Sequence, residues 1–351
     1  MKNHLARFTL LTIPALVLAA CGGGGGGGGG GTSSTPAAPT SLNATLAISS
    51  SNAKPVAADG LDASSNTGAA QAGTSMVTGV QVDTGSGAST ILPTLSQVAL
   101  QLAGKVRGGP ALATGVAVNQ TGACASGGTI TVTGNVAGGS GTTAGDTLTI
   151  TANGCSEIVG NATTPTLMNG TMTITVNSGG YTSSGVYPQH IVMTINANLS
   201  MTTLDVTNLS VGDMHIDLTQ TSASAASVAL SGASLSNTYT RNGTSRSVAL
   251  KNYSLKQDQA GTQVKTDITA SVVTSNSRIG SNLVYTISTP TPLVTDLAVV
   301  VQGSIKVQGL NSALLLTVTT PNNYTLQVDA NGDGTYETTT TTTTAELRAL
   351  L

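Results

Sequence analysis

The sequence predicts a mainly β protein: a large antiparallel meandering sheet, curved into a half-barrel or folded into a sandwich, with one short N-terminal helix. Three observations carry this. From residue 121 onward apolar and polar residues alternate with period two. Asn/Gly-rich clusters that tolerate positive φ punctuate the alternation. Charged residues make up only 8% of the chain, so its polar surface must be Thr, Ser, Asn and Gln, a composition that favours strands and turns over helices.

The elements follow in chain order. Residues 1–20 read as an export signal. Lys2 and Arg7 supply a basic start, Phe8 to Leu18 form an apolar run too short to span a bilayer, and small residues precede Cys21. The segment Leu18-Ala19-Ala20-Cys21 resembles the lipobox of bacterial lipoproteins, and that resemblance implies that Cys21 becomes the lipid-modified first residue of the mature chain. Gly22 to Gly31 form a ten-residue glycine tract. Glycine has the most backbone entropy to lose and no side chain to bury. Ten of them reach about 17–19 Å as a random coil. With the Ser/Thr/Pro/Ala-rich residues that follow, 21–42 read as a lipid-anchored tether. Residue 22 is Gly rather than Asp, which by resemblance to enterobacterial sorting rules implies the outer membrane, facing either the periplasm or the cell surface.

Residues 43–120 read as a mixed region with one amphipathic helix. Leu92, Leu95, Val98, Leu102 and Val106 recur at helical spacing, Pro93 suits a first turn, and Gly108-Gly109-Pro110 ends the run. TSMVTGVQV, at 74–82, is strand-like.

Residues 121–351 form the antiparallel β domain. Ile191, Met193, Ile195, Ala197, Leu199 and Met201 alternate with Val192, Thr194, Asn196, Asn198 and Ser200. Met172, Ile174 and Val176 alternate with threonines, and Met214-x-Ile216-x-Leu218 repeats the pattern. One apolar face and one hydroxyl face suit an antiparallel sheet with a wet side. Turns are predicted at NSGG (177–180), RNGT (241–244) and ANGDG (330–334). No fixed period of 20–50 residues supports a solenoid.

Composition excludes some functions. Cleavage before Cys21 leaves 11 basic against 15 acidic residues, a net charge of −4, with no basic stripe. Aromatic residues are seven Tyr and one Phe. Nucleic-acid binding lacks both phosphate-neutralising charge and stacking surface. The aromatic girdles of an outer-membrane barrel are also missing.

Four constellations could carry chemistry. Cys124 and Cys155 should pair as a disulfide in an oxidising compartment, since the loop between them holds two strand-like runs that can bring them together. Their alternative, metal-binding thiolates, lacks a nearby His or second Cys pair. Their layout, with Gly-Gly after Cys124 and GDTLTI before Cys155, resembles a pattern in uncharacterised proteobacterial lipoproteins and implies no activity.

Asp83-Thr84-Gly85 resembles the catalytic loop of aspartic proteases. That reaction needs two carboxylates sharing a proton, and no second copy of the motif exists in the chain. Asp329, Asn331, Asp333 and Glu337 place oxygen ligands at alternate positions with Gly334 sixth, resembling the start of an EF-hand loop. Position twelve is Thr340 rather than Glu, and the flanks read as strands. Calcium on a hairpin turn is the only cofactor this sequence suggests, and Asn-Gly/Asp-Gly turn chemistry alone accounts for the same residues. Asp213, His215 and Asp217 share one strand face, but same-face Cα atoms stand about 6.6–6.8 Å apart, so one metal would demand strong convergence.

The expectation is a non-enzymatic, lipid-anchored cell-envelope protein with a structural, adhesive or interaction role. Its partners would be the membrane, through the lipid, and an envelope protein or surface ligand, with no nucleic acid. The alternative is a carrier or chaperone of hydrophobic molecules on a curved sheet. A hydrolase ranks third, because the mature chain has only two histidines, His190 and His215, and no G-x-S-x-G elbow.

Overall fold

A computed structural model describes residues 42–66, 116–136, 141–158, 164–182, 187–222, 224–241, 243–296 and 299–351. Cys21, the Asp83 loop, the 74–82 run and the helix predicted from Leu92 lie outside these residues.

The strands are β1 (Val116–Ala123), β2 (Thr129–Val136), β3 (Gly141–Thr143), β4 (Thr147–Glu157), β5 (Thr166–Thr182), β6 (Gln189–Thr203), β7 (Val206–Ser222), β8 (Ala225–Arg241), β9 (Thr244–Ala260) and β10 (Gln263–Asn276). They continue with β11 (Gly280–Asp296), β12 (Val299–Gly309), β13 (Ser312–Thr320), β14 (Asn323–Asp329) and β15 (Thr338–Thr343). Helix α1 (Ala53–Asn66) precedes them and α2 (Thr344–Arg348) follows. The antiparallel sheet begins five residues earlier than the sequence pattern suggests.

All fifteen strands join one sheet in sequence order, with only β3 off the path, paired to β5. Each strand of the path therefore pairs with the next through a hairpin, which is the simplest meander. A sandwich needs two sheets, so the single-sheet alternative holds. Along β6, Ile191 to Met201 are at most 5% exposed at every second residue, while Asn196 and Asn198 between them face out. The inner-face residues of β2 to β14 form one contiguous core. Among the described residues, the helices lie against the C-terminal strands, where α1 packs on β12, β13 and β14. Register shifts between β4 and β5, β5 and β6, β7 and β8, and β10 and β11 supply the bends.

One of these bends corrects the predicted turn at 177–180. Asn177-Ser178-Gly179-Gly180 lies inside β5, at a bulge between Val176 and Ser178. Gly179 has φ +73°, and a Cβ there would sit 2.2 Å from the His190 carbonyl oxygen. The glycine signal was real, but it encodes a kink in a long strand rather than a reversal. RNGT and ANGDG do connect β8 to β9 and β14 to β15.

Helix α1 is the element that the pattern failed to reveal. Asn52 leads into it: its carbonyl accepts the Val56 N–H at 3.0 Å, and its side-chain oxygen accepts the Ser49 N–H at 2.9 Å. Pro55 is tolerated in the first turn, where no intrahelical partner is lost. Val56, Ala57, Ala58 and Ala63 are at most 1% exposed. Gly60 lets the helix approach β12, since a Cβ there would meet Val307 at 2.8 Å. Upstream, Thr45 and Leu46 both donate to the Val284 carbonyl, Leu46 accepts from Leu310, and Ile48 donates to Ser312 Oγ.

Candidate functional site

The predicted disulfide is present. Cys124 and Cys155 are bonded, with Cα atoms 5.4 Å apart, and both are buried. It joins the end of β1 to β4 across β2. Glu157, 3% exposed, accepts the Ala125 N–H beside it at 2.6 Å. With both sulfurs committed, no thiolate is left there for a metal.

The β14–β15 turn brings three of its four predicted ligands together. Carboxylate oxygens of Asp329, Asp333 and Glu337 lie within 4.8 Å of one another. Asp329 accepts the Gly332 and Gly334 N–H groups at 2.6 and 3.0 Å. Asp333 accepts the Thr335 N–H at 2.7 Å, and that backbone bond holds its carboxyl below the ordinary range. Glu337 accepts the Ala330 N–H at 2.9 Å. The Asn331 side-chain oxygen instead accepts the Asp333 N–H at 2.9 Å. The donor set is hard oxygen and suits Ca²⁺. Three carboxylates are fewer than the roughly six to eight oxygens that the ion takes, so water would have to complete the shell.

The Asp213–His215–Asp217 row does not converge. Asp213 accepts the Ala233 and Ser234 N–H groups at 3.1 and 3.3 Å, fastening the β7–β8 bulge. Its carbonyl accepts the Tyr253 hydroxyl at 2.7 Å. Burial, with Asp213 nearby, pushes that phenol well above its usual value. Asp217 pairs with His190 at 2.8 Å on the outer face, with both side chains about half exposed. His215 is exposed. These histidines stand in solvent without a hydrogen-bonded nucleophile among the described residues, which is not the arrangement of a triad.

Sequence reasoning missed the most buried polar cluster. Asp59 of α1 is fully buried. It accepts from Tyr285 at 2.7 Å, from Thr274 at 3.2 Å and from Asn276 at 3.4 Å, and the Arg246 guanidinium lies 3.5 Å away. Arg246 also bonds Asp62. Burial, reinforced by Asp59, drives the Tyr285 hydroxyl well above its usual value. The donors come from the sheet and the carboxylates from the helix, so the cluster's chemistry is docking. Its partners are 184 to 226 residues apart, and no local spacing could reveal them.

Among the described residues, the outer face of β1 to β6 is a uniform polar surface. The register aligns Thr121, Thr131, Thr151, Thr171 and Asn198 in one row across five strands. Asn119, Thr133, Thr149, Thr173 and Asn196 form the next. Hydroxyls bond across the rows, Thr121 to Thr131 at 2.9 Å and Thr149 to Thr173 at 3.1 Å. Residues 116–203 contain no Lys or Arg, and their only acids, Asp146 and Glu157, are buried. A shallow depression of about 210 Å³ lies further along, at the β10 bulge, lined by Lys256, Asp267, Thr289 and Pro290 among others. No protein-family model matches the chain, and neither a curated protein nor a solved structure shows significant similarity to it.

Proposed function

We propose that this protein is a non-enzymatic, lipid-anchored protein of the bacterial cell envelope, held at the outer membrane through Cys21, whose folded body works as a structural or interaction module. The observation that carries the reading is the pairing of the LAAC signal and glycine tract with a body whose β1–β6 outer face is a grid of Thr and Asn side chains. Such a face can hydrogen-bond many partners but brings no perturbed acid–base pair to a substrate. The test is fractionation with lipid labelling. Wild-type chain should take up labelled palmitate and sediment with outer membranes. Cys21→Ser should abolish both. A Cys21→Ser chain that still carries label and stays in that membrane fraction would overturn the reading.

Calcium belongs to this proposal as a brace for the β14–β15 turn. Three convergent carboxylates support it. Equilibrium dialysis should find one bound Ca²⁺ that Asp333→Asn weakens severalfold; no bound calcium at millimolar concentration removes this part.

The carrier alternative draws on one further observation. Five methionines, Met168, Met172, Met193, Met201 and Met214, line the inner face of β5 to β7, and methionine adapts to irregular apolar shapes. They are at most 4% exposed and packed together, so a cargo would have to part the sheet to reach them. Native mass spectrometry of chain purified without detergent discriminates: a stoichiometric lipid-sized adduct favours the carrier, a bare mass the interaction module.

A further inference from the structure

We infer that β15 is a docking edge for a second copy of this chain, through antiparallel β15–β15 pairing about a two-fold axis. This rests on the interaction reading above and gives it a partner.

Among the described residues, β15 pairs with β14 alone, so it ends the sheet. Its outward groups can be identified. The Thr344 N–H donates to the Asn322 carbonyl at 2.9 Å, in the register that places Thr343 opposite Asn323. That makes Thr343–Asn323 a wide pair, and alternation then turns the N–H and C=O groups of Thr339 and Thr341 and the N–H of Thr343 away from β14, while the Thr343 carbonyl, at the N-cap of α2, serves the first turn of that helix. A row of unpaired donors and acceptors is a template for another strand. Sheet edges are ordinarily blunted by Lys, Pro or a bulge. This one is six consecutive threonines with no register shift against its neighbour.

The case for a second copy is self-complementarity. Paired antiparallel with Thr341 on the axis, Thr339 lies opposite the partner's Thr343, so threonine meets threonine along the seam. The sheet already uses that contact between its own antiparallel strands, at Thr121–Thr131, Thr149–Thr173, Thr166–Thr203 and Thr202–Thr207, with oxygens 2.7 to 3.1 Å apart. The ends match in charge as well. One end of β15 carries the acidic turn with Asp333 and Glu337; the other carries α2. Lys54 and Glu346 pair with each other at that end at 2.9 Å, and exposed Arg348 offers a cation there. Antiparallel pairing brings each acidic turn to the α2 end of the other copy. A hexathreonine strand fixes register only weakly by itself, and these charged ends supply the missing constraint.

The test is cross-linking of the full anchored chain in cells. Thr341→Cys places one thiol on the axis, and Thr320→Cys places one on an exposed hairpin tip as control. Mild oxidation should convert most of the Thr341→Cys chain to a band at twice the monomer mass, reversible by reductant, and leave the control monomeric. Adding Arg348→Glu should cut the dimer band severalfold, and adding Asp333→Arg to that pair should restore it. Sedimentation of solubilised chain checks the strand itself: Thr341→Pro removes an outward N–H without touching a β14 bond, and should turn a dimer into a folded monomer with its disulfide intact. A monomeric parent chain, a control that cross-links equally, or a covalent band with a different protein each overturns the proposal. Palmitate labelling of Cys21 in the same cells is read separately, so a failed dimer leaves the anchoring result standing.

Discussion

The two halves of this sheet share one alternation and are held by different means. From β1 to β6 the outer face carries no Lys, Arg or exposed acid and its one histidine is His190, the inner face is rich in methionine, and a disulfide ties the first strand to the third on the path. From β9 to β14 the surface carries Lys, Arg and Asp, and the inner face closes on a helix that brings two carboxylates into the core. Period-two patterning thus specifies that a strand has one buried side. It does not specify what covers that side. In the second half the cover includes α1, seated by an ion pair and a buried tyrosine.

The largest expected effect breaks the second half alone. Arg246→Met leaves Asp59 and Asp62 buried beside each other without a cation, at a cost of about 3–5 kcal/mol. Chemical denaturation should register that loss, and limited proteolysis should cut first near α1. The matching break in the first half is Cys124→Ala with Cys155→Ala. The bridge closes a loop of separation 31, and freeing it should cost about 3–4 kcal/mol. Hydrogen exchange should then rise in β1 to β4 while α1 stays protected. Equal loosening of both halves in either experiment would mean that they do not hold themselves separately.

Alkaline pH sharpens the contrast next. Tyr285 has its folded value raised, so its contribution is fully present below the ordinary value of 10.0 and is lost as pH climbs from there through the folded value. Thermal melts across that range should show α1 releasing before β1 to β6 respond. On the outer face, Thr173→Lys should move stability by no more than about 1 kcal/mol. It would nonetheless plant a charge in the neutral grid, so lost binding at unchanged stability would identify that face as a contact surface. The smallest effect is acidic. Glu346 is held below its usual 4.5 by hydrogen bonds from Lys54 and Thr342, so its link is complete above that value and fades as pH falls through the lower folded value. Fraying of α2 in hydrogen exchange at low pH, absent in Lys54→Met, is the expected sign.

Much of the sheet was legible because alternation is a local signal: one of the two strand-like runs between the cysteines, TITVTGNV, is β2 residue for residue, and the 191–201 alternation lies within β6. The disulfide was legible from compartment chemistry and hairpin reach. Glycine misled at 177–180, because a kink and a turn demand the same backbone freedom. Helix α1 stayed hidden for two reasons. Its core contacts are Ala and Val rather than a Leu stripe, and Asp59, Gly60, Asp62 and Ser64 are poor helix formers whose value lies wholly in what they meet on the sheet. The turn at 329–337 was readable as a constellation, yet its geometry was not: Asp329 spends both oxygens on backbone N–H groups, which a list of acidic positions cannot show.

The segment from Thr45 to Ile48 gives the molecule a mechanical property. Under the proposed anchoring through Cys21, pull on the body arrives from the N-terminal side, ahead of α1. Tension arriving at Leu42 meets the hydrogen bonds of Thr45 and Leu46 to Val284, of Leu310 to Leu46 and of Ile48 to Ser312 before it can reach the helix. These anchors grip the segment from β11 on one side and the β12–β13 hairpin on the other, so such a pull is resisted as shear across several bonds at once. The helix that seals the second half is therefore sheltered from tension on the chain that precedes it.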